Sequence, residues 1–184
     1  MKFIETKLKG AFVIELDKHS DDRGFFARSF CKNEFAEYGL NNDIVQINNS
    51  LSKHKGTLRG MHYQVFPKQE DKIIRCIKGA IYDVIIDLRK ESETFLEWFG
   101  IELSEVNRKS LYVPKGFAHG YITLVDNSEL FYLTTEYYSA EFEKGIRWDD
   151  PKFNIKWPID ITEVSEKDTD HPFFNSEYHL NNKT

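Results

Sequence analysis

The sequence predicts an all-β fold, and three observations carry that prediction. Apolar residues alternate with polar ones in a series of short runs, not at helical spacing. Turn chemistry separates the runs at Asp22-Arg23-Gly24, Lys78-Gly79, Pro114-Lys115-Gly116 and Asp126-Asn127-Ser128. Strand formers are abundant, with 15 Phe and 9 Tyr in 184 residues. Many short strands with almost no helix mean a sandwich or barrel, and one jelly-roll barrel with a few short helices suits this length.

In chain order, strands are expected over residues 12–16, 25–30, 44–50, 57–64, 72–77, 80–88, 98–103, 110–113, 120–124 and 130–138. A single short helix is expected over residues 32–38, with Gly39 as its stop. After about residue 139 the chain turns frequently (GIRWDDPKFNIKWPID), and a polar tail is expected from about residue 175. The length allows one domain with a sizeable core and is short for two. Residues 1–184 are therefore read as a single domain whose core spans about 10–170.

Charge and composition exclude several classes. Twenty-five basic against 30 acidic residues give a net charge of −5, which argues against nucleic-acid binding through phosphates and against a polybasic membrane surface. No apolar run approaches the roughly 18 residues a membrane span needs. The opening MKFIETKLKG is too broken by charge for a signal peptide. Cys31 and Cys76 alone make no disulfide framework, so the cytoplasm is expected.

Strand faces place polar residues where burial would need a purpose. In AIYDVIIDLR, Asp83 and Asp87 share a face with Ile81 and Ile85, opposite Tyr82, Val84 and Ile86. In LFYLTTEYY, Tyr132, Thr134, Glu136 and Tyr138 lie opposite Phe131 and Leu133. Such strands either face solvent or line a polar cavity within a barrel.

Of six histidines, His19, His54, His171 and His179 sit in polar, loop-like surroundings and are expected to be solvated. His62 and His119 differ. Gly56 to His62 and Pro114 to His119 echo the two halves of the cupin pattern. The metal-binding version wants a second His where Gln64 stands, and a Glu near Lys68 or Gln69, with Glu70 just beyond. Two imidazoles without a third nitrogen or a carboxylate make a poor zinc or iron site. A cupin-like jelly roll without metal is expected, its histidines either structural or free for acid–base work.

Longer blocks carry a family resemblance. DDRGFF, QINNSLSKHKGTLRGMHYQ, KIIRCIKGAIYDVIIDLR, YVPKGFAHGY, GIRWDDP and SEKD occur in order. Together they resemble the dTDP-4-dehydrorhamnose 3,5-epimerases. The resemblance implies a homodimer, no metal or organic cofactor, and a nucleotide-linked 4-keto-6-deoxyhexose as substrate, inverted at C3 and C5 in rhamnose-type deoxysugar biosynthesis.

The chemistry suits those residues. A C4 ketone acidifies the protons at C3 and C5, since either carbanion delocalises into an enolate. Inversion then needs a base on one face, an acid on the other and a positive group at the C4 oxygen. The resemblance assigns the base to His62, whose ordinary pKa of about 6.5 lies near working pH. Asp168 would orient the imidazole and balance its charge. Tyr132 would be the opposing acid, and Lys72 would stabilise the enolate. His119 and Asp83 would complete the polar wall.

The nucleotide end would draw on Arg23 and Arg59 for the diphosphate and on Gln46 and Asn48 for hydrogen bonds. Tyr138 would offer a stacking ring, and Glu143 and Lys167 match further binding positions. A bulge at Gly60 would let Arg59 and His62 reach one cavity despite strict alternation. Two departures from the family pattern stand out. Arg28 occupies a position usually acidic, which raises a CDP-linked sugar as an alternative substrate, and Leu133 follows Tyr132 where a Lys is common. Inversion at only one carbon, or a non-catalytic binding module, are the other readings.

Overall fold

The computed structural model describes residues 1–180. In chain order it contains β1 (Lys2–Glu5), β2 (Phe12–Glu15), β3 (His19–Asp21), β4 (Gly24–Phe26) and helix α1 (Lys32–Glu37). Then come β5 (Gln46–Ser52), β6 (Thr57–Gln64), β7 (Lys72–Lys78), β8 (Ala80–Asp87), β9 (Trp98–Ser104) and β10 (Ser110–Val113). The chain continues through β11 (Phe117–Thr123), β12 (Ser128–Thr134), β13 (Glu143–Gly145) and β14 (Glu163–Val164), then α2 (Glu166–Thr169) and α3 (Ser176–Leu180).

Two sheets face each other. One runs β1-β2-β10-β7-β12-β5; the other runs β13-β6-β11-β8-β9, with β14 parallel beside β6. From β5 to β12 every step except β8 to β9 crosses from one sheet to the other. That alternation makes a jelly roll, cupin-like and open, with edge strands left in each sheet. The all-β expectation holds. The Lys78-Gly79 turn between β7 and β8 shows how tightly the crossings are made: Gly79 has φ +73°, and a side chain there would meet Ser128.

Apolar side chains fill both faces of the central strands. Between the sheets lie Val13, Ile74, Cys76, Ile81, Ile85, Leu103, Leu111 and Leu130. The turn-rich C-terminal segment covers the second sheet's outer face, where Phe153 and Trp157 pack on Met61, Val84 and Ile86. Helix α1 covers part of the first sheet's outer face by placing Phe35, fully buried, against Ile14, Ile73 and Tyr112. Burial of that one ring contributes about 1.5–3 kcal/mol. With both faces of β8 covered, Asp83 and Asp87 are wholly buried. Asp87 is held by Arg89, Ser92 and Thr94, a structural knot, whereas Asp83 faces the interior between the sheets.

Several expectations need correction. The strand expected at 25–30 is the hairpin β3–β4, because Gly24 turns the chain back after Asp21 and pairs His19 with Phe26. β1, β13 and β14 were not expected. They are two to four residues long and owe their conformation to the neighbour they pair with. β12 ends at Thr134 and not at 138, since the Thr134 hydroxyl bonds the Glu136 carbonyl and turns the chain. The tail expected from about 175 begins instead with α3, which buries His179 between the carbonyls of Asn175 and Gly145. His171 is half-buried as well; of the four histidines expected in solvent, only His19 and His54 are exposed.

Candidate active site

The mouth between the sheets forms a groove of two lobes, about 440 and 420 Å³, that share His62, Lys72 and Tyr132. Arg59, His119, Tyr121 and Asp168 line the first lobe. Gln46, Asn48, Glu70, Tyr138 and Glu143 line the second. Residues from both sheets and from the α2 segment therefore converge where the lobes meet.

Register explains how. His119 of β11 pairs with His62 of β6, yet Tyr121 pairs with Arg59. Two steps on β11 thus match three on β6, and the extra residue is a bulge around Gly60. Gly60 has φ +134°, and a side chain there would strike the backbone of Gly120. The bulge restores Arg59 and His62 to one side, as the spacing predicts.

His62 meets Asp168 in a hydrogen bond of 2.6 Å from Nε2 to Oδ1, while the other carboxylate oxygen accepts from the Gly60 N–H at 3.2 Å. Asp168 is 3 % exposed and sits in α2, whose first turn is fixed by Ser165 Oγ accepting from the Asp168 N–H. Burial pushes the carboxyl up, but the His62 imidazole and the Gly60 N–H outweigh it, so its pKa lies below the usual value. Asp168 is therefore ionised, Nε2 of His62 carries the proton, and Nδ1 is left for acid–base work. His119 repeats the pairing, with Nε2 2.9 Å from Oδ2 of the wholly buried Asp83.

Tyr132 projects from β12 with its pKa raised, chiefly by burial and then by the negative charge of Glu70. Lys72 holds Glu70 at 3.1 Å in a mostly buried ion pair. At the far lobe, Glu143 accepts from Tyr138 at 2.8 Å and from Lys167 at 2.6 Å; burial raises its pKa, and these two partners bring it below the ordinary range. Gln46 accepts from the Tyr138 N–H at 2.7 Å, and Arg59 donates to Ser52 Oγ at 3.1 Å.

Two expected binding residues stand apart from this groove in their own chain. Arg23 projects from the β3–β4 turn, 90 % exposed, and its guanidinium pairs with Asp21. Arg28 pairs with Glu34 of α1 at 3.1 Å, beside His19 and Phe26. Both follow the hairpin away from the sheets. Gln64, in the slot a metal-binding cupin gives to His, is a clamp: its amide donates to the Lys68 carbonyl and accepts from the Ser139 N–H. Sequence reasoning missed Glu70 as a site residue, as well as Tyr121, whose hydroxyl lies 3.1 Å from Ser50 Oγ, and His171. Tyr121 was in principle legible, two residues after His119 on one strand.

A family model for dTDP-4-dehydrorhamnose 3,5-epimerase matches residues 5–176. The chain belongs to that family. A dTDP-4-dehydrorhamnose 3,5-epimerase of Methanothermobacter thermautotrophicus is 44 % identical over 170 residues, 91 % of each chain. The solved epimerase of Bacillus anthracis, with TDP and pyrophosphate bound, superposes with a TM-score of 0.90 at 44 % identity, covering 94 % of this chain and 99 % of that one. A 3′-monoepimerase of Streptomyces bikiniensis in complex with dTDP-quinovose gives 0.86 at 30 % identity, over 95 % and 89 %. The same fold therefore serves a monoepimerase as well.

Proposed function

We propose that this chain is a 3,5-epimerase of a dTDP-linked 4-keto-6-deoxyhexose, working by proton transfer between His62 and Tyr132. The convergence of the His62–Asp168 pair, Tyr132 and Lys72 on one groove carries this reading; a simple binding module has no use for a carboxylate-backed imidazole. Nδ1 of His62 removes the proton at C3 or C5, and Asp168 balances the imidazolium that forms. Charge develops on the C4 oxygen, where the Lys72 ammonium stabilises it. Tyr132, held neutral by its raised pKa, then protonates the carbanion from the opposite face, and solvent restores both groups for the second carbon. His119, its Nε2 fixed by Asp83, is held in the groove wall beside them.

Arg59 and Lys167 offer cations for the diphosphate, and Gln46, Asn48, Tyr138 and Glu143 offer the rest of the nucleotide subsite. The thymidine nucleotides bound by relatives favour dTDP, and Arg28, engaged with Glu34, leaves the CDP alternative without support in its own chain. Inversion at C3 alone is the second reading, because one relative is a monoepimerase. The enzyme works as a homodimer: Ile47 and Leu51 are exposed on β5, an edge strand, with Ile77 exposed on the same sheet. Its free thiols, Cys31 and Cys76, suit the reducing cytoplasm, and residues 1–184 act as one unit.

Incubation with dTDP-4-keto-6-deoxyglucose, without added metal or nicotinamide, tests the reading. Proton NMR should show conversion to the product inverted at C3 and C5. Product inverted at C3 alone selects the second reading, and no product at all rejects both.

A further inference from the structure

His171 packs against the base instead of facing solvent. Its Nε2 lies 3.8 Å from Oδ1 of Asp168, and its ring stands edge-on to that of His62, with centroids 5.6 Å apart. That Nε2 is buried and has no hydrogen-bond partner among the described residues. Glycine at 145 makes the position possible, since a side chain there would collide with the His171 ring. One donor atom from each of His62, Asp168 and His171 falls within 4.8 Å of the other two.

We propose that these three residues form a binding site for zinc or a similar first-row cation, and that occupation switches the enzyme off. Two imidazoles and a carboxylate are a zinc donor set, which leaves a fourth position for a water ligand. Donors around a tetrahedral zinc stand about 3.3 Å apart, given bonds of about 2.0–2.1 Å. The His62–Asp168 contact at 2.6 Å must widen by less than an ångström, the His171–Asp168 contact at 3.8 Å must shorten by about half of one, and the two imidazole donors, within 4.8 Å of each other, must draw together by up to about 1.5 Å. Binding releases the Nε2 proton of His62 to solvent and puts the cation in its place. The imidazole is then a poor base at Nδ1, and the carboxylate is engaged by metal. The inhibitory consequence rests on His62 being the base; the binding itself does not.

Chelator-treated protein titrated with Zn²⁺ against a chromogenic chelator tests the site without reference to activity. One tight zinc per chain is expected. Losing an outer-shell partner costs 10–100-fold in affinity, so His171→Gln, which removes a ligand, should weaken binding by about a hundredfold or more. Asp168→Asn, which keeps its side-chain shape, should weaken it too, while His19→Gln on the exposed β3–β4 hairpin should leave it unchanged. Zinc should also inhibit epimerisation, reversibly on chelation, and fail to do so in His171→Gln. Absence of stoichiometric binding, or equal affinity in the wild type and either ligand variant, overturns the site. A protein that binds zinc in this pattern but never epimerises keeps the site and loses the proposed function.

Discussion

His62 and His119 are cross-strand partners on β6 and β11, and each is held by its own buried carboxylate. The carboxylates come from different places. Asp83 lies on β8, the neighbour of β11, whereas Asp168 arrives from α2, 106 residues after His62. His119 keeps 12 % of its side chain exposed, while His62 keeps 29 % open to the groove. On the proposed mechanism the pair divides into one imidazole that moves a proton and one that stays in place.

Asp168→Asn should lower kcat by about a hundredfold or more, since the imidazolium loses its counter-charge. His119→Asn should raise KM more than it lowers kcat. Steady-state kinetics of the two variants check this, and equal kcat losses would contradict the division of roles.

Tyr132→Phe should slow net inversion by at least about a hundredfold while exchange with retention continues. His62 can still remove and return a proton on its own face. The check is deuterium uptake measured against product formation in the same sample; parallel loss of both would place Tyr132 in binding instead.

The pH profile follows from Tyr132. Its pKa is raised by burial and by Glu70, so the acid stays protonated at and beyond the ordinary tyrosine value of about 10. Lys72, Arg59, Tyr121, Glu143, His62, His119, Lys167 and Asp168 are among the other charged or titratable groups of the groove or its field. No alkaline loss of kcat/KM from this group is expected below about pH 10. Glu70→Gln removes a negative neighbour and should move the limb to lower pH.

His179 sets a stability dependence. Burial lowers its pKa, so the folded protein holds it neutral while the unfolded chain titrates near the ordinary value of about 6.5. Its stabilising contribution is complete above about pH 6.5 and is lost as pH falls from there through the lower folded value. Thermal melting between pH 7.5 and pH 5 should show a drop in Tm that is smaller in His179→Gln.

The fold was legible where strands carry their own pattern. β6 and β10 match the residues expected, because period-two alternation and a flanking turn define each. β1, β13 and β14 carry no such signal. The site was legible where motif blocks anchor it, at His62, Lys72, His119, Tyr132 and Asp168. His171 was not, because its burial depends on Gly145, 26 residues earlier, leaving room for a ring. Arg23 reads as a diphosphate ligand and Arg28 as a residue facing the nucleotide base, but in their own chain they pair with local acids, Asp21 and Glu34.

One measurement bears most directly on the claim that a single base serves both carbons. Wild-type protein and His62→Asn are incubated with dTDP-4-keto-6-deoxyglucose in deuterated water, and proton NMR follows the C3 and C5 signals. The wild type should take up deuterium at both positions, and His62→Asn should lose exchange at both by about a thousandfold. Exchange persisting at either carbon in His62→Asn would contradict the assignment, because a second base would then have to exist.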